Sequence, residues 1–301
     1  MLYNTIYKII LLVERMKDIK INARAKINIA LDVLRKREDG YHDVRMIMQQ
    51  IDLFDEIHIQ ETSKSGIHIK TNLSYLPNNS GNIAYKAAAL IIEKYNIKKG
   101  VQIHITKHIP VAAGLAGGST DAAAVLKGLN TLWNLGLNTQ ELMGLGQKLG
   151  ADVPFCILGG CALAEGIGEV LTPIKGIDCF VVLCKANVRV STADVYKKLN
   201  LSHITEHPNI DAMIQDLQMG RPIEDIRSNM INVLETVTIK EHPIVYNIKR
   251  KMMECGSEAS LMSGSGPTVF GLFNDYGKAK TAFENLKKLY KETYLVKTNM
   301  K

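Results

Sequence analysis

The sequence predicts an α+β protein with two domains, and three observations support this fold class. The 301 residues are about twice the length of a typical domain. In the first half of the chain, patterns typical of strands precede Ala-rich patterns typical of helices. The second half has the order strand, helix, strand, strand, helix, strand, which is that of a ferredoxin-like domain. We therefore predict domains at residues 16–165 and 166–301, with residues 1–15 as an extension.

The elements of the first half follow from β-branched stretches, alternating apolar residues and two Ala-rich segments. These patterns predict strands at residues 19–34, 43–53, 56–60, 67–70 and 101–105, and helices at residues 82–95 and 119–132. A charged turn is expected at residues 35–41, and a loop at residues 72–81. Glycines cluster near residues 160–176, which predicts a loop-rich boundary between the two domains.

The elements of the second half are shorter and end at clear signals. Strands are predicted at residues 179–184, 259–262, 268–273 and 294–296. Helices are predicted from residue 193, through a looser helical region to residue 240, and then at residues 243–254 and 278–290. Pro243 near the start and Gly256 after the end of the third helix are typical helix-terminal residues.

Composition and charge exclude several classes of protein. The net charge is +7, which permits an anionic partner without identifying it. The positive residues form no long block, and aromatic residues make up only 6%, so we expect no nucleic-acid partner. No apolar run approaches the roughly 18 residues of a membrane helix, so no membrane partner is expected either.

The cysteines and the N-terminus indicate a cytoplasmic protein. The five cysteines are odd in number and none are spaced C-x-x-C, so we expect buried, reduced thiols. The N-terminal apolar stretch is short, contains Lys8 and is followed by no small-residue cleavage site, which argues against a signal peptide.

The strongest local motif is the Gly-rich segment PVAAGLAGGST, which lies between a strand and an Ala-rich helix. Glycines let a backbone approach a ligand closely, and the following helix N-terminus offers free N–H groups, so the segment predicts a phosphate cradle. It is neither a Walker A loop nor G-x-G-x-x-G nor a nucleophile elbow. The alternative is a connection capped by Ser119, with Asp121 complementing the helix dipole. The segment comprises Pro110, Val111, Ala112, Ala113, Gly114, Leu115, Ala116, Gly117, Gly118, Ser119 and Thr120.

Two further places combine polar residues with apolar surroundings. Lys26 and Asn28 interrupt an apolar strand, and a buried lysine normally has a partner. Asp152 stands among small and apolar residues directly before Val153 and Pro154. Taken alone, these are a strand-edge lysine and a helix cap. Together they supply the cation and carboxylate that phosphoryl transfer to a hydroxyl requires.

A third motif, at residues 203–207, matches the inverted zinc-protease pattern H-x-x-E-H. That pattern binds zinc only on a helix, where both histidines share a face. Here Pro208 follows directly and helix-weak residues surround the motif, so we interpret the segment as a solvated loop.

These motifs resemble those of the GHMP small-molecule kinases. Residues 110–120 resemble the second motif of that family, residues 263–268 the third, and residues 25–28 lie where the first is found. The resemblance extends from about residue 16 to the end of the chain. It implies an N-terminal α/β ATP-binding domain, a C-terminal ferredoxin-like domain, and the cofactors ATP and Mg²⁺. It does not identify the metal ligands, for which Ser119 and Thr120 are candidates.

Within the family, the chain resembles the members that phosphorylate the 2-hydroxyl of a methylerythritol unit linked to a cytidine diphosphate group, in non-mevalonate isoprenoid biosynthesis. The resemblance makes Asp152 the acid–base group and Lys26 its cationic partner, with residues 110–120 around the ATP phosphates. It places Asn82 and Lys107 near the nucleoside end of ATP. The residues that it assigns to the substrate are Asn28 at the reacting hydroxyl, Tyr41 and Tyr196 on either side of the cytosine, and His42 at the cytosine edge.

The sequence departs from the family pattern at three positions. Ala113 and Ala116 stand where many members have glycine, which restricts the loop, and Tyr196 stands where others have Phe. Two alternatives remain open at this point: a GHMP kinase for homoserine, mevalonate or a sugar, and an RNA-binding protein. The aromatic residues Tyr41, His42 and Tyr196 favour a nucleobase-containing substrate over the first, and the scattered charge weighs against the second.

Overall fold

The computed structural model describes residues 17–300, which form two β-sheets covered by helices. The predicted extension, residues 1–15, lies outside the described residues. The first sheet has six strands in the order β3-β4-β2-β5-β6, with β1 paired along β2. Only β3 and β4 are parallel. The strands are β1 (Asp18–Lys36), β2 (His42–Thr62), β3 (Ile67–Thr71), β4 (Gly100–Thr106), β5 (Cys161–Glu165) and β6 (Val170–Pro173).

Four helices accompany this sheet, and two of them are rich in small side chains, which allow close packing. The helices are α1 (Ile83–Lys94), α2 (Gly117–Leu132), α3 (Thr139–Gln147) and α4 (Val153–Leu158). The buried faces of α1 and α2 consist largely of alanine and share one hydrophobic core with the isoleucines of β2 and β4. This packing fixes the position of the α2 N-terminus, which directly follows residues 110–116.

Short helices occupy the looser region predicted before residue 240. They are α5 (Thr192–Lys198), α6 (Ile210–Met219), α7 (Ile223–Ile226) and α8 (Glu235–Glu241). The H-x-x-E-H segment begins in a single 3₁₀ turn, Leu201–His203, and continues as a loop. Its two histidines therefore do not share a helix face, and His207 Nδ1 instead lies 2.8 Å from Asp32 Oδ1. The loop interpretation of this segment is confirmed.

The second sheet is antiparallel, with the order β10-β7-β9-β8. Its strands are β7 (Phe180–Lys185), β8 (Ala259–Met262), β9 (Thr268–Phe273) and β10 (Thr293–Lys297). Helices α9 (Ile244–Glu254) and α10 (Tyr276–Leu289) bury apolar faces against it. In sequence order the four strands lie as fourth, first, third, second, which is the ferredoxin-like arrangement. The predicted α+β class with two sheets is confirmed.

The largest error in the first half concerns β2, which was predicted as two strands and is one strand of 21 residues. Asp55 lies in the interval between the two predicted strands and interrupts the apolar pattern there. In the structure Asp55 is fully buried and accepts backbone N–H bonds from His108 and Ile109. Because its carboxylate is satisfied within the fold, the strand continues through it.

The Gly-rich region near residues 160–176 is also more regular than predicted. It contains β5 and β6, which pair with each other, and β5 also pairs with β2. The first sheet therefore extends to Pro173, and the chain passes to the second sheet between residues 174 and 179. Helices α3 and α4, which were not predicted as such, precede this region. The division of the chain at residues 165 and 166 stays a prediction.

Candidate functional site

A cavity of about 1210 Å³ opens between residues of the first and second halves of the chain. All predicted site residues except Leu115 and Thr120 line it. The Leu115 side chain belongs to the hydrophobic core, and its backbone oxygen accepts a bond from the Lys26 N–H. The Thr120 hydroxyl is buried against the Cys156 thiol. Thr120 is therefore poorly placed to be the metal ligand that the resemblance allowed.

The Gly-rich segment forms a turn and then the first residues of α2. No side chain caps this helix, because the N-cap position is taken by Ala116 in a left-handed conformation with φ of 58°. The alternative in which Ser119 caps the helix is therefore wrong. Gly117, Gly118 and Ser119 line the cavity, and an uncapped helix N-terminus presents its free N–H groups to an anion.

Residues 263–268, which resemble the third family motif, pack directly against the Gly-rich segment. A Cβ atom on Gly114 would lie 2.2 Å from the Ser263 backbone oxygen, and Gly114 has φ of +76°. Only glycine satisfies both conditions without strain. Ser263 Oγ also donates a hydrogen bond of 3.0 Å to the Gly114 oxygen. Residues 110–119 and 263–265, which are far apart in sequence, thus contact each other and line the same side of the site.

Lys26 and Asn28 face the cavity from the middle of β1. Both are buried, and Lys26 Nζ donates a 2.8 Å hydrogen bond to Asn28 Oδ1. The pairing of β1 with β2 is irregular on either side of them, between Arg24 and Lys26 and again between Asn28 and Ala30. Such bulges redirect side chains next to functional sites, and no sequence pattern predicts them here.

Asp152 approaches Lys26 from the opposite wall, at the N-terminal end of α4. Its Oδ2 lies 3.8 Å from Lys26 Nζ, and about a third of its side chain is exposed to the cavity. It makes no capping hydrogen bond to α4, so its carboxylate is available for another role. The structure therefore brings the predicted cation and carboxylate together, although 126 residues separate them in sequence.

Three aromatic residues also line the cavity. The rings of His42 and Tyr196 have centroids 5.1 Å apart with an interplanar angle of 36°, and Tyr41 is 60% exposed. Burial, followed by the positive charge of Lys36, lowers the pKa of His42. A neutral imidazole offers one donor and one acceptor nitrogen, which suits the edge of a nucleobase. Burial also raises the pKa of Tyr196, with a contribution from Asp152, so its hydroxyl stays neutral.

Lys107 forms a buried charge cluster at the base of the Gly-rich segment. Its Nζ pairs with Asp55 Oδ2 and lies 2.7 Å from Asp121 Oδ2. The Asp121 carboxylate therefore pairs with the Lys107 side chain instead of complementing the dipole of α2. Its second oxygen, Oδ1, is buried and has no hydrogen-bond partner among the described residues. Sequence reasoning missed the role of Asp55, whose only signal was a charged residue inside an apolar strand.

Asn82 also has structural duties besides its place on the cavity wall. Its Oδ1 accepts the Ala84 N–H and its Nδ2 donates to the Pro77 oxygen, so it caps α1. Two hydroxyls that were not predicted line the cavity as well: Thr192 Oγ1 and Ser265 Oγ lie 2.8 Å apart. Ser265 belongs to residues 263–268, for which the sequence predicts no contact with a ligand.

Comparison with known proteins identifies the family. Residues 82–160 match the GHMP kinases N terminal domain, and residues 210–292 match the GHMP kinases C terminal. A 4-diphosphocytidyl-2-C-methyl-D-erythritol kinase of Alkaliphilus metalliredigens is 54% identical over 94% of this chain and 97% of its own length. The enzyme of the same name from Clostridium beijerinckii is 50% identical over 93% and 99%.

Solved structures agree with this result. The crystal structure of a 4-(cytidine 5'-diphospho)-2C-methyl-D-erythritol kinase matches with a TM-score of 0.81 and 33% identity, covering 93% of this chain and 99% of that one. A homoserine kinase from Cytophaga hutchinsonii matches with a TM-score of 0.76 at 19% identity, which shows a shared fold alone. The chain belongs to the GHMP kinases and, within them, to the family of the 4-diphosphocytidyl-2-C-methyl-D-erythritol kinases.

Proposed function

We propose that this chain transfers the γ-phosphoryl group of ATP to the 2-hydroxyl of 4-diphosphocytidyl-2-C-methyl-D-erythritol. The observation that carries the proposal is the convergence of three groups on one cavity: the Gly-rich segment, the Lys26–Asp152 pair and the aromatic residues. Curated relatives of that name at about half identity over nearly the whole chain support the same substrate. The homoserine and mevalonate kinases share only the fold.

The chemistry at the hydroxyl follows from the positions of Asp152, Lys26 and Asn28. The carboxylate of Asp152 accepts the proton of the 2-hydroxyl as its oxygen attacks the γ-phosphorus. The bond from the γ-phosphorus to the bridging oxygen breaks, and its electron pair leaves with ADP. Lys26 balances the negative charge that develops on the transferring group. Asn28, held by Lys26, is placed to orient the hydroxyl.

Mg²⁺ is part of the proposal, and the residues present fit it. Mg²⁺ takes oxygen ligands and is usually held by one or two carboxylates together with substrate phosphates. Ser119 and Asp152 supply such oxygens on the cavity wall, and no capping hydrogen bond to α4 occupies the Asp152 carboxylate. When bound, the ion would neutralise the phosphates of ATP. Lys26 remains the protein's own cation next to Asp152.

A cytoplasmic location also belongs to the proposal. All five cysteines are free thiols, and burial raises the pKa of four of them to about 12, so they stay protonated and unreactive. None of the helices described between residues 17 and 300 combines the length and apolar character that a membrane crossing requires.

Substitution of Gly118 tests the phosphate cradle. A Cβ atom there would meet only Ile83 Cγ2, at an ordinary 3.4 Å, so Gly118→Val is expected to fold. Its branched side chain would stand between the α2 N–H groups and the phosphates. We expect the KM for ATP to rise about tenfold or more, because the variant loses at least one hydrogen bond to a charged phosphate group.

The matched control for this variant is Gly144→Val, in the exposed interior of α3, where an added Cβ has no neighbour within 4 Å. It should leave the KM for ATP unchanged. A folded Gly118→Val enzyme with the parent KM would remove Gly118 from the phosphate site.

Substitution of the aromatic residues tests the cytosine site. Stacking on a base contributes about 1–3 kcal/mol, so Tyr41→Ala and Tyr196→Ala should each weaken the cytidine-linked substrate by that amount. Tyr196→Phe should leave the affinity for this substrate nearly unchanged, since the Tyr196 hydroxyl makes no hydrogen bond within residues 17–300. Tyr246→Ala, on an exposed part of α9, is the control. Normal substrate affinity in both alanine variants would contradict the cytosine site.

The decisive experiment is ADP release by the purified protein with a panel of hydroxyl substrates. The panel contains 4-diphosphocytidyl-2-C-methyl-D-erythritol, its methylerythritol part without the cytidine diphosphate, homoserine, mevalonate and a sugar. We expect turnover with the first compound alone. Efficient ADP release with homoserine, mevalonate or the sugar would replace the proposed substrate.

A further inference from the structure

A second cavity, of about 160 Å³, lies against a different face of α2. Thr120, Ala124 and Lys127 line it from that helix, at a spacing that places them on one side. Asn22 and Arg24 of β1 form another wall, and the end of α4 closes it. At about 30 Å³ per water, the space holds roughly five waters, or one tetrahedral oxyanion with part of its hydration.

The cavity is lined by an excess of positive charge. Lys127 is mostly buried and has no carboxylate partner among residues 17–300. Its Nζ donates only to the Cys156 and Ile157 oxygens, at 3.4 and 3.5 Å. Both distances exceed the 2.7–3.2 Å of a good N–H···O bond, so the ammonium group is poorly satisfied.

Arg24 adds a second positive group with free donors. Its Nε bonds to Asp52 Oδ1 at 2.7 Å, while its two terminal nitrogens have no hydrogen-bond partner within the described residues. The Asn22 side chain lines the cavity, is exposed to solvent, and makes no hydrogen bond within the described residues. Several donors therefore line a space to which no described residue contributes a carboxylate, and the Asp52 carboxylate beside Arg24 is already paired and partly exposed.

The electrostatics of the empty cavity favour an anion. Burial lowers the pKa of Lys127, and the positive charge of Arg24 acts in the same direction. Two cations that face a common polar space repel each other, and an anion between them would relieve both the repulsion and the desolvation. An apolar ligand would leave the donors unsatisfied, and a cation would add to the repulsion.

We propose that this cavity binds a small oxyanion, specifically a phosphate group, between Lys127 and Arg24. The alternative is that Lys127 only caps the last carbonyls of α4, which its long hydrogen bonds do poorly. A phosphate in this cavity would tie α2, which begins at the Gly-rich segment, to α4, which begins after Asp152. The site is separate from the main cavity, with which it shares no lining residue.

The test is isothermal titration calorimetry of the whole protein with inorganic phosphate at constant ionic strength. Saturating ADP is present throughout, so that the main cavity is occupied. We expect saturable binding that Lys127→Gln weakens about tenfold or more, because a hydrogen bond between charged groups is lost. Lys127→Arg should retain binding. Lys148→Gln, an exposed lysine after α3, is the matched control and should bind like the parent.

Two further arms complete the experiment. Titration with glycerol phosphate distinguishes two sources of the phosphate group. Binding of glycerol phosphate as well as inorganic phosphate would mean that the cavity accepts a phosphate group on a larger metabolite, and binding of inorganic phosphate alone would mean that it accepts only the free ion. Asn22→Asp places a carboxylate in the cavity lining without changing the size of the side chain, and it should also weaken phosphate binding. This variant keeps the proposal testable if Lys127→Gln fails to fold. Absence of saturable binding by the parent protein, or equal binding by the parent and Asn22→Asp, would overturn the proposal.

Discussion

Asp152→Asn is expected to lower turnover by about 10²–10⁴-fold while leaving the KM for both substrates nearly unchanged, since general base catalysis usually contributes that factor. The side chain keeps its shape but loses the capacity to accept the hydroxyl proton. Because Asp152 makes no capping hydrogen bond to α4 and is a third exposed, its loss should not unfold the protein. Single-turnover rates beside urea denaturation curves measure both quantities.

The control for this variant is Asp178→Asn, an exposed carboxylate outside the cavity, which should leave the rate and the stability unchanged. A folded Asp152→Asn enzyme with the parent rate would exclude Asp152 as the base. A parallel loss of rate and stability would instead assign Asp152 a role in folding.

Lys26→Met should reduce turnover by a comparable factor, because it removes the cation 3.8 Å from Asp152 and the donor to Asn28. Residues that act as a unit have non-additive effects, so the double variant should be little slower than either single one. If the double variant instead lost turnover by the product of the two single factors, the two side chains would act in separate steps.

Sequence reasoning worked best where local and global signals agreed. The Gly-rich segment, the Ala-rich α1 and α2, and the four strands of the second sheet each carry a strong local pattern, and the structure places each close to its prediction. Lys26 and Asp152 were suspected because a charge in apolar surroundings needs a partner. Their role in catalysis stays a prediction, as do the roles of the other site residues.

The remainder depended on contacts between distant parts of the chain. Asp55 broke the apolar pattern of β2, and only its contacts with Lys107, His108 and Ile109 explain why the strand continues. The requirement for Gly114 comes from the Ser263 oxygen, which is 149 residues away. Lys107 was assigned to the nucleoside end of ATP from a resemblance, whereas its Nζ is held in the interior by two carboxylates.

Lys107→Met is therefore expected to destabilise the protein by about 3–5 kcal/mol, the cost of removing one partner from a buried ion pair. Asp55 would remain fully buried without its cation, and the backbone N–H groups of His108 and Ile109 cannot replace that charge. Urea denaturation measures the loss. If Lys107→Met instead keeps the parent stability and raises the KM for ATP, Lys107 contacts the nucleotide directly.

Asp121→Asn is the matched variant, because it removes a carboxylate of the same cluster but keeps the Lys107–Asp55 pair. Burial, together with the charge of Asp55, raises the pKa of Asp121 from 3.8 to about 8 in spite of Lys107. Between these pH values the folded protein holds a proton that the unfolded chain has released, so this group makes the parent less stable as the pH rises. Asp121→Asn lacks this dependence, and its stability relative to the parent should therefore increase from pH 5 to pH 8. A difference that stays constant, or decreases, over that interval would mean that Asp121 is ionised in the folded protein and that Lys107 balances two negative charges.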